Sequence, residues 1–411
     1  MTYPDPSLLD LADDIAAGLT DPATAIAIHR SIHNPHSQSL AGGAAGVALL
    51  HTERAFNRPG QWPTAHTWLS TAATGDLYGG TDACLFFGVP ALAFVTRAAA
   101  NGTGGYQRAL PQLDAATGDL TRVRLAAANA RIDQGERPAL SEFDLIRGLT
   151  GLGVYHLRHA PESPVTAAVL AYLVRLTEPL PGDTELPGWW TDHGPTGQPP
   201  TDYPGGHGNF GMAHGITGPL ALLALALRRG ITVDGHVQAI ARICTWLDTW
   251  QQHHPSGPWW PRTITVDEAR ARSCNQPEPL QPSWCYGTPG IARAQQLAAL
   301  ATGDTTRQHI AETALLGCLT DPTQLIRIID PSLCHGAAGL LHTTWRAAGD
   351  AATDMLAAHL PALTMLLRDH LRTAPRAVEL LEGSTGAALA LHTAATGTAP
   401  RSSWDACLLL A

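Results

Sequence analysis

The chain has no lysine; all 26 of its basic residues are arginine. With alanine, glycine, threonine and proline so abundant, this reflects the coding bias of a GC-rich genome and not a mechanism. Charge of either sign is scarce: 15% of 411 residues, against about 25% in an average soluble domain. The balance is acidic, with a net charge of −9, which argues against general nucleic-acid binding, a function that needs a basic face. Long hydrophobic runs are missing as well. The longest, such as Leu85 to Val95, fall well short of the roughly 20 residues that span a bilayer. Met1 to Asp14 carries four aspartates and no basic residue, so a secretory signal is not expected. Cysteine is sparse and irregular. Seven residues without a repeating spacing argue against a disulfide framework and for a reducing, cytoplasmic setting. There is no His-Glu-x-x-His, the helical signature of water-activating zinc hydrolases. Asp13-Asp14 does not extend to an Asp-Asp-x-x-Asp cluster of the isoprenoid-handling kind, and no motif suggests the carboxylate pair of a glycosidase.

What the chain does have is a repeat. A Gly-x-x-Gly step followed by an apolar, Ala/Leu-rich run begins at Gly43, Gly148, Gly215, Gly287, Gly336 and Gly383, with a degenerate copy at Gly88 where Ala91 replaces the second glycine. Glycine suits a helix start at which chain segments approach closely. The runs that follow are apolar nearly all round, as in a buried helix. Between them lie amphipathic stretches, such as Pro164 to Leu180, His236 to Thr249 and Asp304 to Leu319, that read as outer helices with one wet face. Hydrophobic content of 45% is enough to fill a large core. The pattern predicts an all-α fold, an α/α toroid of about seven inner and seven outer helices, with residues 1–411 as a single domain and residues 1–20 as an outer helix or arm. An open helical solenoid is the alternative. Repeat lengths of about 45 to about 70 residues favour a closed ring with decorated loops. Two such loops stand out: residues 179–213, with Trp189 and Trp190, and residues 251–284, with Trp259 and Trp260. Both are rich in proline and both end at candidate site motifs, so they read as a rim around a central cavity, or as surface loops pinned by buried tryptophan.

Two of the steps carry metal-binding chemistry. Cys285 precedes Gly287 in Trp284-Cys285-Tyr286-Gly287, and Cys334 and His335 precede Gly336. In a ring, equivalent points of consecutive repeats lie side by side, so these three side chains are expected to share one zinc ion. Three protein ligands leave a fourth position open, the mark of a catalytic site and not of a structural one. Two thiolates already balance the zinc charge. Such a centre is a weak Lewis acid but suits an incoming thiol, whose free pKa is about 8.5 and which coordination deprotonates. The other cysteines, Cys84, Cys244, Cys274, Cys318 and Cys407, lack this context and read as core residues.

These motifs, together with Gly211-Met212-Ala213-His214-Gly215, resemble the lanthionine synthetase C-like family from about Gly43 to Gly386. The resemblance implies an α/α toroid with zinc at one end of its cavity. It implies Michael-type addition of peptide cysteine thiols to dehydroalanine or dehydrobutyrine, giving lanthionine or methyllanthionine rings. By that resemblance the zinc ligands are Cys285, Cys334 and His335. His214 is the acid that protonates the enolate, Asp144 orients or charges His214, and the Tyr286 phenol can hydrogen-bond the enolate or a metal-bound sulfur. Each of the last three also has a structural reading: a satisfied core histidine, a helix N-cap and a packed aromatic. His207 and Asn209 read as rim polar groups or as partners of the site residues, with the structural reading preferred.

One departure stands out. The family's arginine four residues before the first zinc cysteine is here Gln281. Arg262, Arg270 or Arg272 of the same loop could supply the missing guanidinium. The expected substrate is a dehydrated precursor peptide. The chain has no room for a fused dehydratase, so a separate dehydratase, and with it a transporter, would complete a biosynthetic complex. Through such partners the cytoplasmic protein could sit at the membrane surface. The rival expectations are addition of a small thiol such as glutathione, and a non-catalytic zinc-stapled scaffold.

Overall fold

A computed structural model describes residues 6–28, 37–182, 185–194, 203–374 and 377–411. By their internal contacts these form two compact units, residues 1–117 with 328–407, and residues 118–327 with 408–411.

Each Gly-x-x-Gly step opens a buried helix. In the first unit these are Ala44–Asn57, Val89–Thr103, Ala337–Asp350 and Ser384–Thr396; in the second they are Leu149–His159, Thr217–Arg228 and Thr288–Thr302. Gly43, Gly148, Gly287, Gly336 and Gly383 sit at the N-cap with extended backbone and offer no capping side chain. Their value lies in close approach. A Cβ on Gly148, Gly287 or Gly336 would lie 2.2–2.3 Å from the backbone nitrogen four residues earlier. The second glycine of the step packs on the carbonyl six residues earlier: Gly290 on Trp284, Gly339 on Leu333 and Gly386 on Leu380, at 2.0–2.1 Å for an added Cβ. At these positions the chain folds a tight loop back over the first turn of the inner helix, and any side chain larger than hydrogen would block it; the copy that opens Val89–Thr103 carries Ala91 instead of the second glycine.

An outer helix packs on most inner ones. In the first unit Trp62–Ala72 lies on Ala44–Asn57, Leu360–Thr373 on Ala337–Asp350, and Pro6–Gly18 on Ser384–Thr396. In the second, Pro164–Leu176, His236–Thr249 and Thr305–Thr320 cover the three inner helices in turn. The N-terminal helix shows the reason: Leu8, Ala12, Ile15, Ala16 and Leu19 are buried, an apolar stripe at helical spacing. Among the described residues no helix is long and apolar enough to cross a membrane.

Backbone hydrogen bonds tie the pre-helix loops of successive repeats together. In the first unit Leu40 N donates to Phe86 O, Leu380 and Leu381 N donate to Ala41 O, and Cys334 N donates to Leu381 O. In the second, Leu145 N donates to Ala213 O and Ala213 N to Cys285 O. The carbonyls are those of the residue two before the first glycine in each copy, so the repeat register becomes a spatial register.

The long loops are more regular than their composition suggests. Strand His207–Asn209 of the 179–213 segment pairs antiparallel with Thr263–Thr265 of the 251–284 segment, and Gln252–His254 pairs with Gly257–Trp259. A short helix, Val266–Ala271, opens on a capping box between Thr265 and Glu268. Trp189, Trp190, Trp259 and Trp260 are all buried. Trp190 Nε1 donates to Gly205 O at 2.9 Å and Trp260 Nε1 to Leu247 O at 2.9 Å, so the tryptophans do pin the loops. Residues 183–184 and 195–202 of the first loop lie outside the described residues.

Candidate metal and acid site

Among the described residues one group of His, Cys, Asp and Glu side chains could hold a metal ion: Cys285, Cys334 and His335, whose ligand atoms all lie within 4.8 Å of one another. With zinc bonds of about 2.3 Å to sulfur and about 2.0 Å to nitrogen, tetrahedral donors stand roughly 3.5–3.8 Å apart, so the spacing fits. The donor set also fits, since two thiolates and an imidazole select a soft or borderline ion. Asp330 Oδ2 lies 3.5 Å from His335 Nε2, a carboxylate beside the ligand ring of the kind that orients a metal-binding histidine.

The loops hold these residues by a shared device. Four residues before the first glycine stands Asp144, Ser283 or Ser332. Tyr286 N donates to Ser283 Oγ at 3.4 Å and His335 N donates to Ser332 Oγ at 3.3 Å. Asp144 Oδ1 accepts from Arg147 N at 2.6 Å and Gly148 N at 2.8 Å. Cys285 is further fixed by its buried neighbour Trp284, whose Nε1 donates to Leu408 O at 3.0 Å. Ser283, Ser332 and Asp330 were not singled out from the sequence. For the two serines the signal is a small polar or acidic residue four places before the first glycine, which only the repeat alignment exposes; Asp330, six places before Gly336, has no such signal.

Asp144 has a second oxygen, and it faces His214. The Nδ1–Oδ2 distance is 2.6 Å, with Asp144 1% exposed and His214 31% exposed. Nδ1 must carry the proton in this pair, which leaves Nε2 as the reactive nitrogen of a partly open imidazole. Asp144 is therefore both a loop cap and the partner of His214.

The His214 ring stacks against Tyr286, with centroids 6.0 Å apart and planes 28° apart. A Cβ on Gly211 would lie 2.8 Å from Tyr286 Cδ1, so glycine at that position makes room for the phenol. The Tyr286 hydroxyl accepts from Asn209 Nδ2 at 3.5 Å. Burial pushes the phenol up to about 12, against the opposing effect of that hydrogen bond, so Tyr286 is a neutral donor at physiological pH. Thus His214, Tyr286 and Asp144 meet in the second unit.

Of the three arginines considered for the place left by Gln281, Arg270 and Arg272 are exposed. Arg262 is half-buried, and its positive charge bears on Tyr286. Its backbone is clamped, with Phe210 N donating to its carbonyl at 3.0 Å and its own N donating to Gln276 Oε1 at 3.2 Å. Its Nε is buried and, among the described residues, has no hydrogen-bond partner. Four of the remaining cysteines, Cys84, Cys244, Cys318 and Cys407, are buried as expected of core residues, whereas Cys274 is half-buried. Burial pushes the Cys318 thiol up to about 12 and the Cys244 thiol up to about 11, which keeps both inert.

Comparison with known proteins matches the chain to a family. The profile of lanthionine synthetase C-like proteins covers residues 34–409. Nisin biosynthesis protein NisC of Lactococcus lactis subsp. lactis is 24% identical over 204 residues, 49% of this chain and 48% of the relative, so the match spans about half of either protein. The solved structure of nisin cyclase superposes with a TM-score of 0.81 at 19% identity, covering 99% of this chain and 98% of that one. That likeness shows the fold to be an α/α toroid, as the glycine-step repeat predicts.

Proposed function

The chain belongs to the lanthionine synthetase C-like family, and from that premise we propose that it is a zinc-dependent cyclase acting on a dehydrated precursor peptide. It adds cysteine thiols to dehydroalanine or dehydrobutyrine and closes (methyl)lanthionine thioether rings. The observation that carries this reading is the Cys285, Cys334 and His335 group, with Tyr286, the chain neighbour of Cys285, stacked on His214. The family profile runs through both compact units, which supports one cyclase domain over residues 1–411.

A zinc ion held by Cys285, Cys334 and His335 would offer its fourth position to a substrate thiol and lower that thiol's pKa from about 8.5, supplying a sulfur nucleophile at neutral pH. The rest of the reaction falls to the chain's own side chains. As sulfur bonds to the β-carbon, the electron pair of the double bond moves onto the neighbouring carbonyl oxygen. Arg262 and the Tyr286 hydroxyl are suited to stabilise that developing negative charge, a cation with an unpartnered Nε and a neutral donor. His214 gives the proton on Nε2 to the α-carbon. Asp144 holds the opposite nitrogen and keeps the ring in that orientation. A hydrogen leaves sulfur and a hydrogen arrives on carbon, so cyclisation changes no mass.

The test is to incubate the zinc-loaded protein with a dehydrated, cysteine-containing peptide. Loss of free thiol at constant mass is expected. A mass gain equal to an added small thiol would instead assign the rival activity on free thiols. Unchanged thiol across peptides of varied sequence would leave the scaffold role.

A further inference from the structure

We propose that Asn209 is a positioning residue that directs the Tyr286 hydroxyl proton away from the protein and toward the substrate. The inference rests on the cyclase reading for its purpose, but its geometry stands apart from it. A backbone N–H can only donate, so the Asn209 atom 3.0 Å from Gly211 N must be the amide oxygen, and the orientation of the whole amide follows. Its nitrogen is then the atom facing Tyr286 Oη at 3.5 Å.

A second contact agrees independently. His207 Nδ1 lies 2.8 Å from the His193 carbonyl, which can only accept, so Nδ1 carries the ring proton. His207 is fully buried, and burial pushes it down to about 4, so the ring is neutral and Nε2 bears a lone pair. That lone pair faces Asn209 Nδ2 at 3.4 Å. The two amide hydrogens therefore have two acceptors, the His207 ring and the phenol oxygen. A relay runs from the His193 carbonyl through His207 and Asn209 to Tyr286, with each donor direction set by the one before it.

The consequence concerns one proton. The phenol accepts from Asn209, and its oxygen has no other hydrogen-bond partner among the described residues. Its own O–H is left unspent, on a ring stacked against His214. An asparagine serving only the loop would need its oxygen and nothing more.

The deciding variant is Asn209→Asp. It keeps the acceptor for Gly211 N and replaces the donor with an oxygen that would take the Tyr286 proton for itself. We expect kcat for thioether formation to fall about 10–10²-fold with KM within about twofold, the scale of one lost oxyanion donor or somewhat less. In a Tyr286→Phe background the same substitution should cost nothing further, because both changes remove one proton donor. Asn209→Ser, too short to reach the phenol, leaves the O–H undirected without capturing it, and should cost less than Asn209→Asp, about two- to tenfold in kcat, again with nothing further lost in the Tyr286→Phe background. The activity-independent readout is the 13Cζ resonance of Tyr286, assigned by its loss in Tyr286→Phe, which should move in both Asn209 variants. A shifted resonance with no ring closure by the parent protein would support the relay while removing the cyclase reading. Losses that multiply with those of Tyr286→Phe, or an unmoved resonance, would overturn the relay.

Discussion

His214 Nδ1 and Asp144 Oδ2 lie 2.6 Å apart, while the other oxygen of the same carboxylate caps Arg147 N and Gly148 N. One side chain thus serves the loop and the imidazole together, and its two roles can be separated. Asp144→Asn should keep the cap through its amide oxygen and turn a donor toward Nδ1, trapping the wrong tautomer. Thioether formation should drop about 10²–10⁴-fold with the fold intact. Asp144→Ala should also destabilise, by about 1–3 kcal/mol, because buried backbone N–H groups lose their acceptor. Steady-state kinetics beside urea unfolding check both. Equal stability loss in the two variants would contradict the division of labour.

Arg262 is expected to supply the cation that Gln281 does not. Arg262→Ala should lower kcat about 10–10³-fold, and millimolar guanidinium chloride should restore part of the loss, since the bare ion can occupy the vacated place. Arg262→Lys should recover less, having no planar fork. Arg270→Ala and Arg272→Ala, at exposed positions, should leave kcat unchanged. No response to Arg262→Ala would remove this residue from the reaction.

The glycine step makes a steric prediction. A Cβ on Gly290 would fall 2.0 Å from Trp284 O and 3.1 Å from Met212 Cβ, both on loops that carry site residues. Gly290→Ala should cost about 1–3 kcal/mol and lower zinc retention by moving Cys285. Gly349 is a control, with nothing within 4 Å of an added Cβ near the end of helix Ala337–Asp350. Gly349→Ala should be neutral or stabilise by up to about 1 kcal/mol. Thermal unfolding and metal analysis of the two variants decide the matter.

Stability should depend on pH through buried histidines. Burial pushes both His51 and His207 down to about 4, from about 6.5 in an unfolded chain. Between these values the unfolded chain binds protons that the folded chain refuses. Their contribution is therefore intact above about pH 6.5 and is lost as pH falls toward 4, by up to about 1.4 kcal/mol per pH unit for each group. His51→Gln, which can still donate to the Leu19 carbonyl that His51 Nε2 meets at 2.8 Å, should flatten the slope. Urea unfolding at pH 7.5 and pH 5 checks this; equal stability at the two values would contradict it.

The seven inner helices were legible because the close approach at most of their starts leaves room only for glycine, so the step recurs with the loop, Ala91 being the one exception at the second position. The same register made Cys285, Cys334 and His335 readable as one group, since all three stand one or two places before a first glycine. What escaped is set by contacts between distant segments. Asn209 meets Tyr286 77 positions away, and Trp284 meets the Leu408 carbonyl 124 positions away; nothing in the local pattern at either end announces the other. The loop at 251–284 misled through its proline and tryptophan content. Its strands are three residues each, too short for periodicity to register, although Thr265-x-x-Glu268 is a readable capping box.

Zinc K-edge X-ray absorption on the purified chain tests the central claim most directly. One zinc per chain is predicted, with two sulfur neighbours at about 2.3 Å, one imidazole nitrogen at about 2.0 Å and one light atom completing the shell. On addition of a dehydrated, cysteine-containing peptide a third sulfur should replace the light atom. A metal-free chain, a shell without sulfur, or a four-ligand shell that ignores the peptide would contradict the account.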